Sequence, residues 1–281
     1  MLKQRIITAL VLLAILVPAI FYAPPVAFAM VAVVMISAGA WEWGRLNQCD
    51  QGTSLALGVV CAAMCLLSWF SGFLQSPLKM LWLFAGSAWV IFGAWLLHAG
   101  VTSWAKVPKA VRLVGGVLAL WVAWLAVAQA RVIGINYLFS VLVLVWVADI
   151  FAYFAGRSLG GRFFSRKLAP SISPGKTWEG ACGGMLGVVV CAFVWRAVDA
   201  STGADVASLY TRLGHVHIAF MVLAVLFLAA MSVVGDLVES LFKRSAGVKD
   251  SSGLLPGHGG VLDRVDALLP ILPLAMMLGT L

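Results

Sequence analysis

Charge is what this sequence is short of. Only 11% of its 281 residues are Asp, Glu, Lys or Arg, against roughly 25% in soluble domains. With 63% hydrophobic residues and a mean hydropathy of +1.03, a water-soluble fold is excluded and a polytopic membrane protein is expected. Cysteine is sparse and unpatterned. Cys49, Cys61, Cys65, Cys182 and Cys191 form no CxxC and keep no Cys/His metal spacing, so no disulfide framework is implied. Cys61 and Cys65 lie four apart in an apolar run and are expected to pack. His215 and His217 lack metal-ligand company and read as loop histidines. No segment repeats at a fixed period and no low-complexity linker divides the chain. The net charge of +8 is scattered over short loops, which argues against nucleic acid as a partner.

What is abundant is apolar runs. A hydrocarbon core about 30 Å thick takes roughly 20 residues of helix. Nine runs qualify, the second and last being short: Ile6–Tyr22, Val26–Trp41, Leu55–Phe73, Leu81–Leu97, Leu113–Gln129, Tyr137–Phe154, Trp178–Val198, His217–Val234 and Val265–Leu281. The expected fold is therefore an all-α polytopic integral membrane protein of about nine helices. Lys3 and Arg5 precede the first run, which is long enough to be a retained helix and not a cleaved leader. With the N-terminus in the cytoplasm, 15 of the 19 Lys and Arg fall on the inner side, leaving Lys79, Arg131, Arg196 and Arg212 outside. Of the acids only Asp199 and Asp205 fall outside, so a polar site at the cytoplasmic face is expected. Trp41, Trp43, Trp69, Trp82, Trp89, Trp95 and Trp104 lie near run ends and read as interface anchors, and Glu42 with Arg45 as a surface pair. Residues 1–130 form an N-terminal transmembrane scaffold and 131–281 a C-terminal catalytic region, within one integrated membrane domain.

The polar residues concentrate between Ser240 and Asp266, SLFKRSAGVKDSSGLLPGHGGVLDRVD. Lys243, Arg244, Lys249 and Arg264 stand with Asp250, Asp263 and Asp266 around a bend made of Pro256, Gly257, His258, Gly259 and Gly260. Glycines there let the backbone approach a ligand closely. Cations suit phosphate oxygens and paired carboxylates suit Mg²⁺. Asp236 and Glu239 lead into this stretch on one helical face, where Glu239 is equally suited to an i,i+4 pair with Lys243. Asp149 lies inside the sixth apolar run, where an unpaired carboxylate costs about 2.5–3.5 kcal/mol, so it is expected to face a polar cavity with Tyr153 on the same side. In the loop that follows, Gly175-Lys176-Thr177 is not a P-loop, because Pro170 stands where the first glycine belongs. Ser173 with Pro174 reads instead as a helix start that would favour an anion beside Lys176 and Thr177. Gly180, Gly183, Gly184 and Gly187 allow close helix packing.

The run Ser240-x-Phe242-Lys243-Arg244-x4-Lys249-Asp250-x-Ser252-x2-Leu255-Pro256-x-His258-Gly259-Gly260-Val261-x-Asp263-Arg264-Val265-Asp266 resembles the signature of the phosphatidate cytidylyltransferases, the CDP-diacylglycerol synthases. The segments around Asp149 and from Ser173 to Gly180 are similar to that family as well. The resemblance implies that CTP and phosphatidate give CDP-diacylglycerol and pyrophosphate in a bacterial inner membrane. It implies Mg²⁺ held by Asp236 and Asp263, with Asp266 and Asp149 beside it, and leaves room for a monovalent cation such as K⁺ and for a homodimer. Lys176, Lys243, Arg244, Lys249 and Arg264 would meet phosphates, and His258 the pyrophosphate. Asp250, Ser173, Thr177, Gly259 and Gly260 complete the expected site. A CTP-dependent lipid-alcohol kinase is the alternative enzyme. A membrane transporter would predict an inverted repeat, which the sequence does not show.

Overall fold

In hydrocarbon, backbone groups must be satisfied within their own segment, and the apolar runs do this as helices. The computed structural model describes residues 2–280. The side chains of Leu2, Lys3 and Arg5 lie outside the described set, and with them the placing of Lys3 and Arg5 as inner cations. The order is α1 (Leu2–Phe21), α2 (Pro25–Leu46), α3 (Gln51–Phe70), α4 (Lys79–Ala99), α5 (Val101–Trp104), α6 (Lys109–Ile133), α7 (Ile135–Leu159), α8 (Trp178–Thr202), α9 (Leu209–Val216), α10 (Ile218–Ser245), α11 (Leu262–Val265) and α12 (Leu268–Gly279). Seven of these, α2, α3, α4, α6, α7, α8 and α10, are long and apolar enough to cross a membrane. Among the described residues there is no strand, only two isolated bridges.

Two elements shape the site. As the shared helical face of Asp236 and Glu239 implies, α10 continues past the apolar run to Ser245, so Asp236, Glu239 and Lys243 ride on one helix. It ends where Gly247 turns left-handed (φ 72°) and the Val248 amide bonds back to the Lys243 carbonyl at 2.9 Å. The last run is broken into α11 and the 12-residue α12. Pro270 has no N–H to give the Asp266 carbonyl, so the helix opens there. A side chain on Gly235 of α10 would strike that same carbonyl.

The glycine face of α8 packs on α7 as expected. A Cβ on Gly184 would lie 2.7 Å from the Ala148 carbonyl, and Gly180, Gly183 and Gly187 face Ala152, Ala155 and Phe151 just as closely. The tryptophans depart from the interface-anchor reading. Trp43, Trp82 and Trp104 are buried, and only Trp95 of that set is a large exposed apolar group. Trp43 and Trp104 close on Phe242 of α10, with ring centroids 4.9 and 4.4 Å away. This aromatic contact fixes the end of α10 against α2 and α5.

Candidate active site

The ends of α2, α7 and α10, the start of α8 and the 246–262 segment meet at one end of the bundle. Two linked polar clusters form there. In the first, Lys176 of the α7–α8 loop makes an ion pair with Asp236 of α10. Asp149 of α7 lies within range of both charges, and Asp266 within range of Asp236 and Lys176. Asp266 accepts the Ala267 amide at 2.7 Å. Arg157, two turns beyond Asp149 along α7, donates to the Tyr153 hydroxyl at 2.7 Å.

In the second cluster Lys243 Nζ lies 2.5 Å from Glu239 Oε2 and 2.6 Å from Asp263 Oδ1. The i,i+4 pair therefore exists, and Lys243 also reaches across to α11. Asp263 Oδ2 accepts the Ser251 amide, the Ser251 hydroxyl and the Gly260 amide, each at 2.8 Å. Burial alone would push this carboxyl up. The Lys243 ammonium and the two amides outweigh burial and hold it below the ordinary carboxylate range. The bend itself needs glycine: Gly257 and Gly259 have φ of 78° and 82°.

Ser173 does not begin a helix. It sits in a tight turn bridged to Ala169, and its carbonyl accepts the Lys176 amide. The cap of α8 is Thr177, whose hydroxyl accepts the Gly180 amide at 3.1 Å. The anion served near this terminus is the protein's own. Glu179 Oε1 accepts the amides of Gly161, Phe163 and Phe164 at 2.9–3.1 Å and closes the preceding loop. Arg244 donates to the Ile172 and Val248 carbonyls. Lys249, Asp250 and Arg264 are exposed at the rim. His258 gives its amide to the Leu255 carbonyl at 2.8 Å, while its Nδ1 is buried without a partner.

Glu42 was missed. It is fully buried in α2 and bonds to Ser251, Ser252, Val261 and Leu262, while Arg45 lies over the Trp41 ring, so the surface pair does not form. Thr8 of α1 donates to the Pro256 carbonyl at 2.9 Å. The one available signal was an acid that follows directly on the long apolar run of α2, with the apolar Trp41 and Trp43 on either side of it.

A divalent cation implied by the resemblance can be tested against these donors. Among the described residues no three His, Cys, Asp or Glu side chains stand together as a finished metal cage. The donor chemistry still suits a hard cation, since Asp149, Asp236 and Asp266 keep oxygen lone pairs free of backbone donors or nearly so. Asp263 offers less. Its Oδ2 is filled, and its Oδ1 is shared with Lys243.

Fold and site together define a helical membrane protein with acids and cations gathered at one end of the bundle. Comparison with known sequences narrows the class. The chain belongs to the cytidylyltransferase family, whose model matches residues 3–281. Relatives named phosphatidate cytidylyltransferase include one from Pseudomonas aeruginosa, 38% identical over 97% of this chain and 95% of the relative. Another from Haemophilus influenzae is 33% identical over 97% and 96%, and one from Bacillus subtilis is 42% identical over 50% and 46%.

Proposed function

We propose that the protein transfers the cytidylyl group of CTP to phosphatidate, giving CDP-diacylglycerol and pyrophosphate for phospholipid synthesis. The observation that carries this reading is the convergence of Asp236, Lys243, Asp263 and Asp266 with the exposed Lys249 and Arg264 at one end of a helical membrane bundle, in a chain matched along its length by the family. A phosphatidate phosphomonoester oxygen is already ionised at neutral pH, so attack on the α-phosphorus needs no strong base. The new bond joins that oxygen to the α-phosphorus, and the bond to the bridging oxygen breaks to release pyrophosphate. What the protein must supply is alignment of two polyanions and neutralisation of their charge. Lys249 and Arg264 hold phosphates from the rim, and Lys176 and Lys243 from within. His258 donates to the departing pyrophosphate.

Asp236 and Asp263 would hold Mg²⁺, with Asp149 and Asp266 beside them, and the ion would neutralise phosphate charge. An apolar cleft of about 510 Å³, walled in part by Trp89, Phe92, Leu118 and Phe242, adjoins Glu239 and supports a lipid substrate. We place this end of the bundle in the cytoplasm and the protein in a bacterial inner membrane, with α1 and the last run, from Val265 on, completing nine crossings; the excess of cations on that side supports it. Residues 131–281 carry the chemistry and 1–130 brace it.

The test is the purified protein with phosphatidate, Mg²⁺ and CTP labelled at either the α- or the γ-phosphate. Label from the α position in the lipid product is expected. Lipid labelled only from the γ position would make the protein a CTP-dependent kinase and overturn the reading.

A further inference from the structure

Glu42 has no part in the mechanism above, yet it is the least exposed charged residue among those described, at 0%. Burying a carboxylate is costly unless it is paired or fully hydrogen-bonded. Among the described residues no cation forms a salt bridge with it, so hydrogen-bond donors must offset the cost. They come from more than 200 positions away. Oε1 accepts the Ser252 hydroxyl at 2.5 Å and the Val261 amide at 2.9 Å. Oε2 accepts the Leu262 amide at 2.8 Å and lies 3.1 Å from the Ser251 hydroxyl.

The arrangement of these donors is informative. Ser251 and Ser252 enter the glycine bend, and Val261 and Leu262 leave it, so one side chain grips both ends. Asp263 grips the same bend from the other side through Ser251 and Gly260. A hydroxyl has one proton, and the Ser251 hydroxyl lies closer to Asp263, at 2.8 Å. Glu42 is thus left with three firm donors, all of which need an acceptor. Gly260 is part of the fit: a Cβ there would collide with both the Ser251 hydroxyl and the Glu42 carboxylate. Thr8 adds a bond to Pro256 from α1.

We propose that Glu42 is a positioning residue for the nucleotide-phosphate bend. By closing Ser251–Ser252 onto Val261–Leu262, it holds His258, Asp263 and Arg264 in register for the polyphosphate of a nucleoside triphosphate. This rests on the cytidylyl-transfer reading. Glu42 itself is sealed from solvent and touches no substrate. Glutamine cannot replace it, because one end of the amide would set N–H against N–H or O–H.

The experiment compares full-length wild type, Glu42→Gln, Glu42→Asp and Ser252→Ala, purified in one lipid–detergent mixture. Steady-state kinetics with CTP and phosphatidate are read beside amide hydrogen exchange. In Glu42→Gln the KM for CTP rises about tenfold or more while that for phosphatidate stays within about twofold, the split expected for loss of nucleotide positioning. Exchange speeds up across 251–262 and stays unchanged in α7 and α8. Glu42→Asp recovers part of the effect. Ser252→Ala shows a smaller shift in the same direction, and it decides the matter if Glu42→Gln does not fold. Unchanged CTP KM and unchanged 251–262 exchange would overturn the proposal. So would a loss of kcat with both KM values fixed and exchange raised throughout. If the wild type forms no CDP-diacylglycerol, the reaction assignment fails, and the exchange comparison still tests the clamp.

Discussion

Lys243 Nζ on α10 lies 2.6 Å from Asp263 Oδ1 on α11, so one ammonium ties the long helix to the glycine bend. Its other neighbour, Glu239, is equally buried. Replacing Lys243 with Met leaves two buried carboxylates facing each other, a change that costs about 3–5 kcal/mol when one partner of a buried pair is removed. A clear fall in thermal midpoint and loss of CDP-diacylglycerol formation are expected. Adding Glu239→Gln restores most of the midpoint but not turnover. Recovered turnover in the double variant would deny Lys243 any role toward phosphate.

Asp236 and Asp263 are expected to respond differently to amidation. Among the described residues Asp236 is held only by Lys176 and distantly by Ser240, at 3.4 Å. Asp236→Asn should therefore fold normally and lose turnover by about 100-fold or more, as when a site loses one charge-stabilising group. Asp263→Asn should lose turnover and also show faster amide exchange at Ser251 and Gly260, because three donors lose their carboxylate acceptor. Normal exchange there in Asp263→Asn would refute its role in shaping the bend.

Chelation supplies a separate check. EDTA should stop CDP-diacylglycerol formation by the wild type, and Mg²⁺ should restore it, since two polyanions cannot be brought together without neutralisation. Full activity in excess EDTA would remove the divalent ion from the mechanism.

The depressed Asp263 carboxyl also predicts a pH dependence of stability. A group whose folded pKa lies below its unfolded value, about 3.9 for Asp, adds stability above that value and loses it as pH falls through the folded pKa. The midpoint gap between wild type and Asp263→Asn should hold steady from about pH 8 to 5 and close below about pH 4. A gap that widened on acidification would reverse the sign and exclude this explanation.

The α7–α8 seam can be probed sterically. Gly184→Leu forces a side chain into the Ala148 carbonyl and should destabilise by about 1–3 kcal/mol, seen as lower yield and midpoint. Gly115→Ala meets nothing within 4 Å and should be neutral. Equal behaviour of the two variants would mean that the seam is not close-packed.

The stretch from Ser240 to Asp266 was legible because its chemistry is local: cations, acids and glycines adjacent in sequence stay adjacent in the fold. The glycine face of α8 was legible for the same reason, being a matter of helical spacing. Glu42 was not, because its partners lie more than 200 residues away and nothing in its own helix names them. Trp43, Trp82 and Trp104 misled because nearness to a helix end does not tell which side faces the core. Ser173 misled because Ser-Pro-Gly suits a helix cap and a tight turn equally, and the turn won once Thr177 took the cap. The break at Asp266 was not read from the run Val265–Leu281, although Pro270, which has no N–H for the Asp266 carbonyl one turn earlier, carried its signal.

Because the carboxylate that closes the bend is borrowed from α2, the signature is not a portable module. A chimera that joins residues 131–281 to the amino-terminal helices of a distant relative would inherit every residue of the motif and yet lack the latch wherever that relative has no carboxylate at position 42. Such hybrids should succeed or fail according to what the donor carries at position 42, not according to how well its motif is matched.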